Sequence, residues 1–297
     1  MRRALIAGVV LFAFAVCSVG AQELSVSYAE GDAQVRSGSS WVELSIWDRL
    51  TPRTTIQLSD GAYVELTWAG TKIVLSQKGT YSLREILASC RALDSAGAEK
   101  AILATLSSLL MRPAGNQSTA SGVRSVNEAK TNDSEWVTSN AQVFLDVGKQ
   151  YLGSGQHKEA IEQLLLALDA ATEKESPQVQ YYLACAYSLS GDMRAALKHA
   201  AGLQPSSADE WASDFIILKA KLLVDSNAFA QDIAWLTQNG NDLSGDAQRA
   251  ALYEFLLGVG YRGIGDAANA KASLAKAMAM SGESDLGKAA SELLQNP

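Results

Sequence analysis

Between Leu24 and Leu83 apolar and polar residues alternate. Leu24, Val26 and Tyr28 form one run, Val64, Leu66 and Trp68 another, and Ile73 and Val74-Leu75 a third. A period of two carried by β-branched and aromatic side chains predicts strands with one buried face. Asp60-Gly61 and Ala69-Gly70 supply turns between them. Pro52 falls in a predicted loop from Arg49 to Arg53, where a missing backbone donor does little harm. The pattern predicts a small all-β unit over residues 22–83.

The period then becomes helical. Leu83, Ile86, Leu87, Cys90 and Leu93 share one face, and Ile102, Leu103, Leu106, Leu109 and Leu110 share another further on. Asp94-Ser95-Ala96-Gly97 is placed to split the stretch into two helices. Residues 84–112 therefore read as an amphipathic helical segment, expected to pack on its own β unit, with a docking or dimerising helix as the alternative. Residues 113–138 are rich in Ser, Asn, Thr, Gly and charge and predict a flexible linker.

From residue 139 to 296 the helical pattern repeats. Phe144 is followed at offsets of 4, 7, 11, 16, 20 and 23 by Gly148, Tyr151, Gly155, Ala160, Leu164 and Ala167. A second copy gives Ala184, Tyr187, Gly191, Ala196 and Ala200. A weaker third gives Ala220, Leu223, Asn227 and Leu236, and a fourth Gly258, Tyr261, Gly265, Ala270, Leu274 and Ala277. The small residue of the first helix recurs at 148, 184, 220 and 258, at intervals of 36, 36 and 38. Small residues at this spacing let two antiparallel helices cross closely. The arrangement resembles the tetratricopeptide (TPR) family, whose unit is a helical hairpin of about 34 residues. The third copy departs from it, with Asp232 where alanine belongs and no aromatic, so distortion is expected from Asp232 onward. The resemblance implies an α-solenoid of about four hairpins, enough to bury a continuous core. It also implies a concave groove lined by the first helix of each pair. Family geometry directs Leu145, Lys149, Tyr181, Cys185, Ile217, Lys221, Phe255, Val259 and Arg262 into that groove, a surface suited to a peptide or helix.

The β unit carries a resemblance of its own. Gly31, Val35, Trp41, Leu44, Ile56, Gly61-Ala62, Val64, Leu66, Gly70, Ile73 and Leu75 follow the order of the FecR-type periplasmic domain. That resemblance implies an extracytoplasmic β domain and no catalytic residue. The N-terminus agrees with export. Arg2 and Arg3 precede the uncharged stretch Ala4 to Val16, and Val19-Gly20-Ala21 offers small residues for cleavage before Gln22. This is the pattern of a signal peptide over residues 1–21. Lipid anchoring at Cys17 is less favoured, because Val16 stands where a small residue is usual.

Composition narrows the function further. The chain has 297 residues, 47% of them hydrophobic and 19% charged, with a net charge of −7 that becomes −9 if Arg2 and Arg3 are removed with the leader. Nucleic acid is not an expected partner, because phosphate binding needs clustered Lys and Arg. Cys90 and Cys185 are 95 residues apart on apolar helix faces, and are expected as buried thiols rather than a bridge. His157 and His199 fall in second helices of hairpins, where neither suits a catalytic base. No zinc, P-loop or nucleophile-elbow pattern occurs. Gly263-Ile264-Gly265-Asp266-Ala267-Ala268 fits a loose dinucleotide fingerprint, but it follows a helical run rather than a strand. The expectation is a multidomain β plus α protein without catalytic residue, cofactor or metal. It would be a periplasmic or envelope-associated adaptor for protein partners. A FecR-type signal relay or a cell-wall-binding module is the alternative.

Overall fold

The computed structural model describes residues 24–110, 139–243 and 245–295. The signal-peptide pattern and the linker expected at 113–138 lie outside the described residues.

Eight strands form the N-terminal unit: β1 (Leu24–Glu30), β2 (Ala33–Ser37), β3 (Ser40–Glu43), β4 (Arg49–Leu50), β5 (Thr55–Leu58), β6 (Tyr63–Trp68), β7 (Thr71–Leu75) and β8 (Gly79–Ser82). They make two four-stranded antiparallel sheets, ordered β4-β1-β6-β7 and β3-β2-β5-β8. Alternate residues of both sheets, among them Val26, Ile56, Leu58, Val64, Leu66, Ile73 and Leu75, share one core. Part of the loop expected at Arg49 to Arg53 is strand. Leu50 and Arg49 pair with Leu24 and Ser25, and Pro52 sits in the turn beyond. Ala69 and Gly70 both take positive φ (52° and 85°) between β6 and β7, the backbone that a tight two-residue hairpin requires. Gly31 has φ 77°, and a Cβ there would stand 2.9 Å from Ala62 Cα. Two turns thus meet at a point where only a glycine fits.

The helices are α1 (Leu83–Ser95), α2 (Ala98–Leu110), α3 (Asn140–Gly153), α4 (His157–Ala170), α5 (Ser176–Ser190), α6 (Met193–Ala200), α7 (Ala212–Asp225), α8 (Phe229–Asn239), α9 (Ala247–Gly263), α10 (Ala267–Ser281) and α11 (Asp285–Gln295). The pairs α3–α4, α5–α6, α7–α8 and α9–α10 are hairpins, and α11 packs on α10. Capping side chains start several of these helices. Ser139, Asp192, Asp246 and Asp266 accept backbone N–H bonds from Gln142, Ala195, Gln248 and Asn269. The glycine-rich stretch from Gly263 closes α9 and turns into α10, with a helix on both sides. It has no strand leading into it, which a dinucleotide site needs.

The recurring small residues sit where the helices cross. A Cβ on Gly148 would lie 2.7 Å from Leu164 Cγ, and one on Gly258 2.7 Å from Leu274 Cγ and 3.2 Å from its backbone nitrogen. Ala184 and Ala220, at the corresponding positions, are fully buried. Gly258→Val is therefore expected to lower stability by about 1–3 kcal/mol through overpacking. A thermal melt showing no loss would mean that the α9–α10 crossing is looser than its geometry implies.

The third hairpin, expected to distort from Asp232 onward, keeps its second helix regular through that residue. Its second helix, α8, spans 11 residues and runs into a short 3-10 turn over Gly240–Leu243. Asp232 is completely buried in α8, and neither carboxylate oxygen has a hydrogen-bond partner. Burial pushes its carboxyl well above the usual carboxylate range.

The β unit and the helical array also touch directly. Asn227 Nδ2, in the turn between α7 and α8, donates to the Val74 carbonyl at 3.1 Å. Arg194 pairs with Glu30 at 2.5 Å and lies 5.0 Å from the centre of the Tyr28 ring. Asn227 has φ 56°, a conformation that asparagine tolerates better than most residues. Asn227→Ala should cost about 1–2 kcal/mol, because it removes the bond and strains the turn. Asn227→Gly should recover only the backbone part. Chemical denaturation separates the two, and equal losses would refute the division.

Candidate interaction groove

The segment after the β unit divides between two cores. Leu83, Ile86 and Leu87 of α1 complete the core of the sandwich, with Cys90 packed against it. Gly97, at φ 61°, then breaks the helix. Ala98, Ala101, Ile102, Leu106 and Leu109 of α2 belong instead to the core of the helical array. The expectation that this whole segment packs on the β unit therefore holds for the first half of α1 and fails for α2, with Ala92 and Leu93 of α1 also packed against the array core. Its periodicity marks a buried face and does not specify which surface buries it.

α2 touches α3, α7, α9 and α11. Three of these are first helices of hairpins, and α11 occupies the next such position. A single helix thus lies along the side of the array that those first helices share. The Ser108 hydroxyl on α2 is hydrogen-bonded to Gln248 of α9. Glu99, on the first turn of α2, has its carboxyl raised above the usual range by burial and then by the charge of Asp225, while Lys221 opposes the shift. Lys221 itself is buried and paired with Asp225.

Apart from Lys221, buried in its ion pair, the sequence-predicted groove residues fall into three groups. Tyr181, Cys185, Ile217, Phe255 and Val259 are buried in the same core as the α2 stripe. Leu145 is buried in a separate cluster among α3, α4 and α5, between hairpins rather than beneath α2. Lys149 and Arg262 remain half-buried. The Lys149 ammonium lies 5.0 Å from the Tyr182 ring centre, and Arg262 donates to the Leu293 carbonyl of α11 at 3.2 Å. Five of these positions thus share a core with α2, and Leu145 does not.

Aromatic packing stiffens the floor of this face. Tyr181 stacks on Trp211 at 5.2 Å, and Phe215 meets Tyr181, Trp211 and Trp235 edge-on at 6.3, 5.9 and 6.2 Å. The Trp235 indole N–H donates to the Ile216 carbonyl at 3.0 Å. The repeat pattern did not reveal this seam, because Trp211 and Trp235 fall outside the recurring offsets. Arg249 of α9 pairs with Asp214 of α7 at 2.7 Å and ties the last two hairpins together.

The titratable candidates do not assemble into a reactive centre. Cys90 and Cys185 are free thiols, and burial pushes Cys90 up to about 11. His199 stacks on Tyr187 at 5.4 Å, with its imidazole held below the usual range by burial and by Lys198. Among the described residues no group of three or more His, Cys, Asp or Glu is arranged to hold a metal ion. No described helix is long and apolar enough to cross a membrane.

Solved structures include a likeness to part of the chain. No family model matches the chain, and no curated protein matches it. Among solved structures it is similar to MamA, from residue 41 to its end, of Desulfovibrio magneticus RS-1. That similarity has 18% identity and a TM-score of 0.41, and covers 53% of this chain and 92% of the other.

Proposed function

We propose that this chain is a non-catalytic adaptor that binds protein partners through a TPR-like helical array, with a FecR-like β unit beside it, in the cell envelope. One observation carries the reading. The face formed by the first helices of the hairpins already holds an amphipathic helix, α2, against α3, α7 and α9. A surface that seats one helix has the shape and apolarity to seat another. The envelope location rests on the basic, apolar and small-residue pattern of residues 1–21.

The test is crosslinking of the full chain in intact cells, followed by identification of the adducts. The reading expects specific protein adducts drawn from the envelope. Absence of any adduct above a control would count against an adaptor. Adducts drawn only from the cytoplasm would count against the location.

A further inference from the structure

We propose that α2 is an exchangeable internal ligand of the array, and that the external partner of this groove is an amphipathic helix whose apolar stripe repeats that of α2 and displaces it. This rests on the reading of the array as a binding module and names the kind of partner it takes.

The groove's occupant defines the chemistry that fits. Ala98, Ala101, Ile102, Leu106 and Leu109 form a stripe at helical spacing, and all five are buried in the array core. The ligand class is therefore a short helix of about three to four turns with small residues in its first turn and isoleucine or leucine along the rest of its stripe. Polar fastening is sparse by comparison. The Ser108–Gln248 bond joins α2 to α9, and Glu99 faces the Lys221–Asp225 pair.

Two features make α2 separable from what surrounds it. At its N-terminal end, Gly97 ends the helical run between α1 and α2, and the first half of α1 (Leu83, Ile86 and Leu87) belongs to the β core, while Ala92, Leu93 and Ala96 meet the array core. At its C-terminal end, residues 111–138 lie between α2 and α3. Those 28 residues have a contour of about 90 Å, although α2 and α3 are in contact. The connection is long enough for α2 to leave without unthreading the array.

Space beside α2 points the same way. An open surface pocket of about 420 Å³ is lined by Glu99, Lys100, Leu103, Ala104 and Ser107 of α2 together with His157 and Leu189. Alanine and serine leave that space unfilled. A partner helix with longer apolar side chains at those positions would bury more surface than α2 does, at roughly 25 cal/mol per Å². That gain would offset the local-concentration advantage of a tethered competitor.

The probe is a synthetic, fluorescently labelled peptide with the sequence of residues 98–110, titrated against the full chain. Ile102→Asp combined with Leu106→Asp breaks the internal stripe. This variant should bind the peptide at least tenfold more tightly than the unaltered chain. Ile102→Ala, which weakens α2 without adding charge, should show a smaller gain. Ser108→Cys with Gln248→Cys, oxidised in the Ile102→Ala background, should hold α2 in place and abolish that gain until the bridge is reduced.

Equal peptide binding by the unaltered chain and Ile102→Ala overturns the proposal, whatever happens to the doubly charged variant. So does a gain that survives the crosslink. Loss of the adaptor reading is a separate outcome. Peptide exchange without cellular protein adducts would remove the adaptor and leave the groove chemistry, while adducts without peptide exchange would do the reverse.

Discussion

Asp232→Ala is expected to stabilise the protein by about 2–3 kcal/mol at pH 7. The side chain is fully buried, and neither oxygen has a partner. A Cβ on Gly260 would lie 2.5 Å from Asp232 Oδ2 and 3.0 Å from Ile233 Cγ1, so α9 comes close to the carboxyl without offering it a donor. Burial raises the carboxyl's pKa in the folded protein. The folded state therefore holds this proton more tightly than the unfolded state. The favourable contribution is fully present below the unfolded pKa of about 3.9, and is lost as pH rises toward the raised folded value. Alanine removes that loss and restores the small residue that the other hairpins carry there. Denaturation between pH 4 and 8 should show the gain growing with pH. A constant difference would mean that the carboxyl is not the source.

The largest loss from a single truncation is expected at Phe255→Ala, about 3–5 kcal/mol. Phe255 is fully buried in α9 and belongs to the core that also holds Ile102 and Leu106 of α2. Its removal leaves a cavity at the seat of α2, so α2 should lose protection first. Hydrogen exchange followed by mass spectrometry should show faster exchange over residues 98–110 than over α3 and α4, whose core is separate. Leu165→Ala provides the comparison. Leu165 is 42% exposed on α4, and its truncation should change stability by less than about 0.5 kcal/mol. Uniform loss of protection after Phe255→Ala would mean that the array unfolds as one unit and that α2 has no distinct seat.

Much of this architecture is legible in residue order because local rules determine it. Alternation marks β1, β6 and β7, and Ala69-Gly70 marks the hairpin between the last two. Gly148 and Gly258 mark helix crossings because no larger side chain fits beside Leu164 and Leu274. Asp232 marks a misfit because a carboxyl replaces a small apolar residue. What residue order leaves out is the choice between surfaces. The stripes of α1 and α2 look alike, yet Leu83, Ile86 and Leu87 of α1 complete a sandwich and the α2 stripe lies in the helical array.

Leu145 illustrates the same limit. Its repeat position marks it for the groove, but its neighbours are α4 and α5. Exposed apolar residues in the β unit are also invisible to periodicity. Trp47, 79% exposed with φ 75°, stands in a turn where Asp48 accepts the Ser45 N–H at 2.8 Å. The alternation that places Trp68 on a buried face does not extend to Trp47, so it assigns Trp47 no surface at all.

On the function proposed above, the face shared by the first helices of the hairpins is where this protein meets other proteins. Site-specific photo-crosslinking in intact cells tests it most directly. A photoreactive residue is placed in the full chain at Lys149, at Arg262, or at Leu165 on α4 as the contrast. The account predicts protein adducts from Lys149 and Arg262 that exceed those from Leu165. Adducts from Leu165 alone, or equal adducts from all three positions, would contradict it.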